Sequence, residues 1–70
     1  MSESVYKVIN LVGTSTSSWE AAAQTAINAA GQSLRDLRVA EIDKLDMKVE
    51  EGKVVAYRAR VKLSFKYQIG

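Results

Sequence analysis

The hydrophobic residues of positions 38–67 change faces partway along a predicted β-hairpin. Folding this segment about Glu51 and Gly52 places its residues in complementary rows. Since a one-residue slip would move every side chain to the opposite face, the pattern predicts its own register. One face is apolar near the strand ends and polar near the turn, and we expect a helix to cover its apolar half. The predicted pairs on this face are Arg38/Phe65, Ala40/Leu63, Ile42/Val61, Lys44/Ala59 and Asp46/Tyr57.

The opposite face of the predicted hairpin is charged near the strand ends and apolar near the turn. Its pairs are Val39/Ser64, Glu41/Lys62, Asp43/Arg60, Leu45/Arg58, Met47/Ala56 and Val49/Val54. A chain of 70 residues has too little mass to cover both apolar patches by itself. We therefore predict that a second subunit covers the patch near the turn. The predicted interface residues are Leu45, Met47, Val49, Val54 and Ala56.

The first half of the chain predicts a strand and a helix. Val5 to Val12 is a β-rich run that ends at Gly13, and its two alternating sets are both largely apolar, which predicts burial on both faces. Ser17 followed by Glu20 has the spacing of a capping box and predicts the helix start. The predicted helix face has helical spacing and consists of Trp19, Ala23, Ala26, Ile27, Ala30, Leu34 and Leu37.

Residues 36–38 end the predicted helix and lead into the hairpin, whose turn is formed by residues 50–53 with Gly52 available for positive φ. The element order is therefore β-α-β-β in a single α+β domain spanning residues 1–70. Gly31 marks either a tight packing contact or an exposed weak point in the helix, and the exposed position is the favoured interpretation. Trp19 lies in the first helical turn, which favours a packing or interface role over ligand stacking.

Composition narrows the possible functions. The chain is 47% hydrophobic and 26% charged, which is typical of a globular domain, and it contains no Cys and no His. Disulfides and thiolate or imidazole metal sites are therefore excluded, which leaves oligomerisation, with or without a hard oxygen-bound cation, as the source of added stability. No apolar run approaches the roughly 20 residues that a membrane span requires. We predict a cytoplasmic protein without membrane contact.

The charged residues favour binding over catalysis. The net charge is +2 and the two signs are interspersed, so no basic stripe typical of a nucleic-acid interface is visible. Without Cys or His the catalytic inventory is small, and we predict that the protein is not an enzyme. The sequence Gly13-Thr14-Ser15 suggests either helix capping, which is favoured, or an anion-binding helix entrance.

Carboxylates repeated by symmetry in an oligomer could together bind calcium or magnesium. In the predicted register Glu41 and Asp43 face cations, whereas Asp46 lacks a partner and Glu50 and Glu51 lie at the turn. The predicted metal ligands are therefore Asp46, Glu50 and Glu51. Arg58 faces Leu45 in the same register, which leaves its guanidinium free to bind a ligand.

Several segments together resemble the dodecin family over nearly the whole chain. They are Val5-Tyr6-Lys7, Val12-Gly13-Thr14-Ser15, Ser18-Trp19-Glu20-Ala21-Ala22, Leu37 with Glu41, Tyr57, and Val61-Lys62-Leu63-Ser64-Phe65. The resemblance implies a β-α-β-β subunit whose antiparallel sheet partly wraps one helix. It also implies assembly as a hollow homododecamer with 23 symmetry, which would cover the second apolar patch.

Most members of this family bind flavin between a Trp on the second strand and a Gln on the third. The corresponding positions here are Val39 and Arg58, so the resemblance implies that the usual flavin site is lost. The sequence is most similar to the calcium dodecin branch. We therefore predict a non-enzymatic homododecamer that binds, stores or sequesters a small ligand, with calcium as the favoured cation. The alternatives are flavin (FMN or riboflavin) bound in an altered mode through Arg58 and, less favoured, a nucleic-acid-binding module.

Overall fold

The chain folds as one helix against a three-stranded antiparallel sheet. The computed structural model describes residues 3–33 and 36–67. Its elements are β1 (Tyr6–Ser15), α1 (Trp19–Ser33), β2 (Leu37–Glu50) and β3 (Lys53–Lys66), and the sheet order is β1-β3-β2. The predicted β-α-β-β order is confirmed. Within the described residues, no helix is both long and apolar enough to cross a membrane.

Helix α1 begins one residue later than the capping-box prediction. Ser18 is the N-cap: its Oγ accepts a hydrogen bond from the backbone N–H of Ala21 at 3.0 Å. The N–H of Ser17 instead donates to the Oγ of Ser15 at 2.9 Å, so the predicted cap at Ser17 is wrong. Of the predicted helix face, Leu34 lies outside the described residues, and Leu37 is the first residue of β2 rather than part of the helix.

The core lies between α1 and the strands β1 and β3. Four alanines of α1 pack on three residues of β3, and these buried residues are Ala22, Ala23, Ala26, Ala30, Ala59, Val61 and Leu63. The expected helix cover of the apolar half of the hairpin face is present over β3 but not over β2, because α1 contacts β2 little and Ile42 stays 47% exposed. The small alanine side chains allow the helix axis to approach the sheet closely.

Strand β1 buries one of its faces within the subunit. Ile9 and Leu11 pack against the core, whereas Tyr6, Val8 and Val12 on the other face are exposed. The predicted burial of β1 on both faces is therefore wrong for a single subunit. A covering partner is needed for the second face.

At Gly13 the sheet lies directly against the backbone of α1. A Cβ atom at this position would overlap the carbonyl oxygen of Ala22 and lie 3.0 Å from the backbone nitrogen of Ala26. Gly31, in contrast, has no atom within 4 Å of the corresponding position, which confirms the exposed interpretation. The glycine that packing requires is thus the one in β1.

The hairpin turn has the predicted position. Glu51 and Gly52 have φ values of 51° and 75°, and two consecutive positive values identify a type I′ turn, whose twist matches that of the flanking strands. The register near the turn and at residues 39–42 is also as predicted, for example Val49 opposite Val54 and Ile42 opposite Val61.

Between these two regions the predicted register is wrong by one residue. A bulge between Ile42 and Lys44 and a second irregularity between Lys48 and Val49 shift the intervening rungs. A further shift near Arg38 places Leu37, instead of Arg38, opposite Phe65. The observed pairs are Lys44/Arg60, Leu45/Ala59, Asp46/Arg58, Met47/Tyr57 and Lys48/Ala56.

The hairpin extends well past the helix. The subunit measures 54 × 20 × 16 Å, and its radius of gyration is 14.5 Å. A compact chain of this length would have a radius of gyration of about 11 Å. The extended arm exposes large apolar side chains, including Leu45, Met47, Val49 and Val54.

Candidate functional site

The two predicted cofactor positions lie on the same face of the sheet but far apart. Val39 is opposite Ser64, and Arg58 lies six positions before Ser64 on β3, so both point away from α1 as predicted. Six residues of a strand span about 20 Å. Within one subunit, a single small ligand therefore cannot contact both residues.

Arg58 and Asp46 form a bidentate ion pair on this non-helix face. Arg58 Nε donates to Asp46 Oδ1 at 2.7 Å, and Arg58 Nη2 donates to Oδ2 at 2.8 Å. The hydrogen bond from Arg58 lowers the pKa of the Asp46 carboxyl, and the same contact raises the pKa of Arg58. The predictions that Arg58 is free and that Asp46 lacks a partner are both wrong. The bulge after Ile42 is the reason, because it brings Asp46 opposite Arg58 in place of Leu45.

Trp19 attaches the start of α1 to the hairpin arm. Its indole Nε1 donates to the backbone carbonyl of Asp46 at 3.0 Å. Its ring meets that of Tyr57 edge to face, with centroids 5.2 Å apart and planes inclined at 71°. The packing role predicted for Trp19 is confirmed. Asp46 is consequently held through its backbone by Trp19 and through its carboxylate by Arg58.

The three predicted metal ligands do not converge within one subunit. Asp46 is engaged by Arg58, Glu50 Oε2 lies 3.4 Å from Lys48 Nζ, and Glu51 is exposed at the turn. In residues 3–33 and 36–67, no three acidic side chains group closely enough to hold a metal ion. Calcium requires six to eight oxygen ligands. Any calcium site built from these residues must therefore include residues of further copies.

The five predicted interface residues are divided between the two faces. Leu45 is opposite the buried Ala59 and Met47 is opposite Tyr57, so both point to the helix side, contrary to the prediction. Ala56 remains on the non-helix face opposite Lys48, whereas Val49 and its partner Val54 form the next rung, and alternation along β2 places Val49 with Leu45 and Met47. All five are exposed or half-buried in the single subunit, and their role at an interface stays a prediction.

An apolar groove that sequence reasoning missed lies between α1 and β2. It has a volume of about 420 Å³ and is lined by Trp19, Glu20, Ala23, Gln24, Ile27, Ile42 and Leu45. Leu45 reaches this groove only because of the bulge after Ile42. Ile27 and Ile42 were a signal for this groove in the sequence, because both are large apolar side chains that favour contact with other apolar groups.

Comparisons with known proteins show which protein family this chain is related to. The family model for dodecin matches residues 5–68, which is nearly the whole chain. The chain belongs to the dodecin family. The calcium dodecin of Mycobacterium tuberculosis is 46% identical over 63 residues, which cover 90% of this chain and 89% of the relative. The family resemblance given by the strand, helix and hairpin segments is thereby confirmed.

Solved dodecin structures share the fold described above. Dodecin from Streptomyces coelicolor superposes with a TM-score of 0.92 at 31% identity and full coverage of both chains. The crystal structure of the M. tuberculosis calcium dodecin, described as a calcium-chelating antigen with a novel calcium-binding site, gives a TM-score of 0.82. It is 47% identical, with 93% of each chain covered.

Proposed function

We propose that this member of the dodecin family is a non-enzymatic homo-oligomer that binds or sequesters a small ligand, with calcium as the cation and without the usual flavin site. The observation that carries the proposal is the bidentate pair between Arg58 and Asp46. The family resemblance implies that flavin would be held at positions 39 and 58. The Arg58 guanidinium is engaged by Asp46, and Val39 has no aromatic ring. The similarity to a calcium dodecin supports calcium as the ligand.

Calcium binding requires that subunits share ligands. One chain brings Glu50 and Glu51 to the tip of its extended arm, where they are exposed, but it adds no third acidic group there. Symmetry repeats each carboxylate, so arms that meet at an axis would supply several oxygens to one ion. The single subunit does not itself fit a calcium ion, and assembly is thus part of the proposed function.

The exposed apolar surface supports self-assembly. Val8 on β1 and Val39 on β2 flank Ser64 on the non-helix face and are each about half exposed. The hairpin arm adds four more apolar side chains that are about half exposed, namely Leu45, Met47, Val49 and Val54. Large apolar side chains that are exposed in this number normally have a covering partner. We infer that the partner is the chain itself, in the hollow homododecamer that the family resemblance implies. Nothing in this role requires nucleic acid or a membrane, and the cytoplasmic location stays a prediction.

Calcium binding can be tested by calorimetry on metal-stripped protein. We expect calcium to bind with fewer than one ion per chain, because each site uses carboxylates from more than one subunit. Replacing both turn carboxylates, Glu50→Gln with Glu51→Gln, should weaken binding at least tenfold. Glu20→Gln is the matched control, since Glu20 lies on α1, and it should change affinity less than twofold. Absence of heat at millimolar calcium would eliminate calcium as the ligand.

Assembly can be tested by light scattering. We expect a mass of about twelve times the 7.7 kDa chain at micromolar concentration. Val54→Glu should reduce the mass while circular dichroism retains the helix, because Val54 is exposed in the subunit and buried only by a partner. Lys53→Glu, at the neighbouring position, is the control and should leave the mass unchanged. A monomeric wild type would contradict the proposed assembly.

A further inference from the structure

The bulge in β2 brings two cations together on the non-helix face. Ile42 remains opposite Val61, but the next rung pairs Lys44, and not Asp43, with Arg60. Directly opposed side chains have Cβ atoms about 5 Å apart, and like charges at this spacing are destabilising. Among the residues that the structure describes, neither Lys44 nor Arg60 forms an ion pair. The charge of Arg60 reaches the Asp46 carboxylate and helps to lower its pKa, but that carboxylate is already bound by Arg58, so the pair of Lys44 and Arg60 has no counter-ion of its own in direct contact.

Neighbouring residues of β3 add positive charge to the same face. Arg58, Arg60 and Lys62 alternate along the strand, with successive side chains about 7 Å apart. Two carboxylates share this face: Asp46 is already engaged by Arg58, and Glu41 lies opposite Lys62. We refer to Lys44, Arg60 and Lys62 as the basic cluster. The carboxylates beside the cluster that Arg58 does not bind are Glu41 and, in the bulge next to Lys44, Asp43, so the three cations still exceed them by one charge.

Strand β1 supplies neutral hydrogen-bonding groups beside the basic cluster. Asn10 is opposite Lys62, Val12 is opposite Arg60, and Thr14 is opposite Arg58. The amide of Asn10 and the hydroxyl of Thr14 can both donate hydrogen bonds to an anion. No carboxylate of β1 lies on this face, so a negative ligand would meet no repulsion from that side.

We propose that the basic cluster binds a small, multiply charged oxyanion of the phosphate type. The planar guanidinium of Arg60 suits bidentate contact with such an anion, and the ammonium groups of Lys44 and Lys62 supply further charge. The cluster covers only two successive rungs of the non-helix face, a length that matches a compact anion better than an extended nucleic-acid strand. A bound anion would remove the repulsion between Lys44 and Arg60. This site is separate from the proposed calcium ligands at the turn.

The proposal can be tested with inorganic pyrophosphate, added at constant ionic strength in buffer containing EDTA so that divalent cations play no part. We expect pyrophosphate to bind wild-type protein calorimetrically and to raise its melting temperature. Arg60→Gln should weaken binding at least tenfold. Without the anion, the same variant should melt no lower than wild type, because the like-charge pair is gone. Lys53→Gln at the turn is the control and should keep affinity within twofold.

Lys44→Gln gives an independent check from the opposite strand and should reproduce both effects of Arg60→Gln. Equal pyrophosphate affinity in wild type and both variants would overturn the proposal, as would the absence of binding to wild type at millimolar pyrophosphate. A lower melting temperature of both variants without anion would show that another group already neutralises the pair, which also contradicts the site. Because EDTA is present, failure of the calcium proposal would leave this result unaffected.

Discussion

Replacing Gly13 with alanine is expected to destabilise the subunit by about 3 kcal/mol or more. The new Cβ would overlap the backbone carbonyl oxygen of Ala22 and crowd the nitrogen of Ala26, and backbone atoms cannot move aside by a change of rotamer. Overpacking commonly costs about 1–3 kcal/mol, and a clash with helix backbone lies at or above the upper end. A domain of this size has a free energy of unfolding of roughly 4–10 kcal/mol. Urea unfolding followed by circular dichroism measures the loss.

Gly31→Ala is the matched control for this experiment. The substitution is the same, but no atom lies within 4 Å of the added Cβ. Alanine is favoured over glycine in a helix interior by about 1 kcal/mol, so this variant should be slightly more stable than wild type. If Gly13→Ala unfolds at the same urea concentration as wild type, the helix does not approach β1 as closely as described.

The double substitution Val39→Trp with Arg58→Gln is expected to create flavin binding. It installs the aromatic ring and the amide that the family resemblance implies at these two positions, and an aromatic contact contributes about 1 kcal/mol beyond buried area. Both residues already lie on the non-helix face, and Val39 is 56% exposed, so the sheet can accept the larger side chain. Quenching of riboflavin fluorescence on titration with protein is the measurement.

Val49→Trp with Arg58→Gln is the control for the flavin experiment. Val49 is on the same strand and is 57% exposed, so the added tryptophan is similarly accessible at a different position. Quenching by the Val39 variant alone would support the correspondence of Val39 and Arg58 with the flavin site. Unchanged fluorescence in a variant that keeps its oligomeric mass would refute it. Quenching by wild type would instead support the alternative of flavin bound in an altered mode.

The bulge after Ile42 explains most differences between the sequence-based predictions and the structure. Alternation fixes which residues share a face only while the register is uninterrupted. One extra residue at Asp43 moved Leu45 and Met47 to the helix side and brought Asp46 opposite Arg58. The predictions that Arg58 is free and that Asp46 lacks a partner both came from continuing the register across the bulge at Asp43. The pattern near the turn was unaffected, because Glu51 and Gly52 fix the register locally.

The β-α-β-β order, the alanine face of α1, the position of the turn at Glu51 and Gly52, and the dodecin family could all be predicted from the amino-acid sequence. These depend on local periodicity, on residues that tolerate positive φ, and on motifs spread along nearly the whole chain. Three contacts could be seen only in the folded subunit: Gly13 lies beneath the backbone of α1, Arg58 neutralises Asp46, and Lys44 opposes Arg60. These contacts depend on where separate elements meet and on where a strand bulges. The alternation of side chains along one strand gives no information about either.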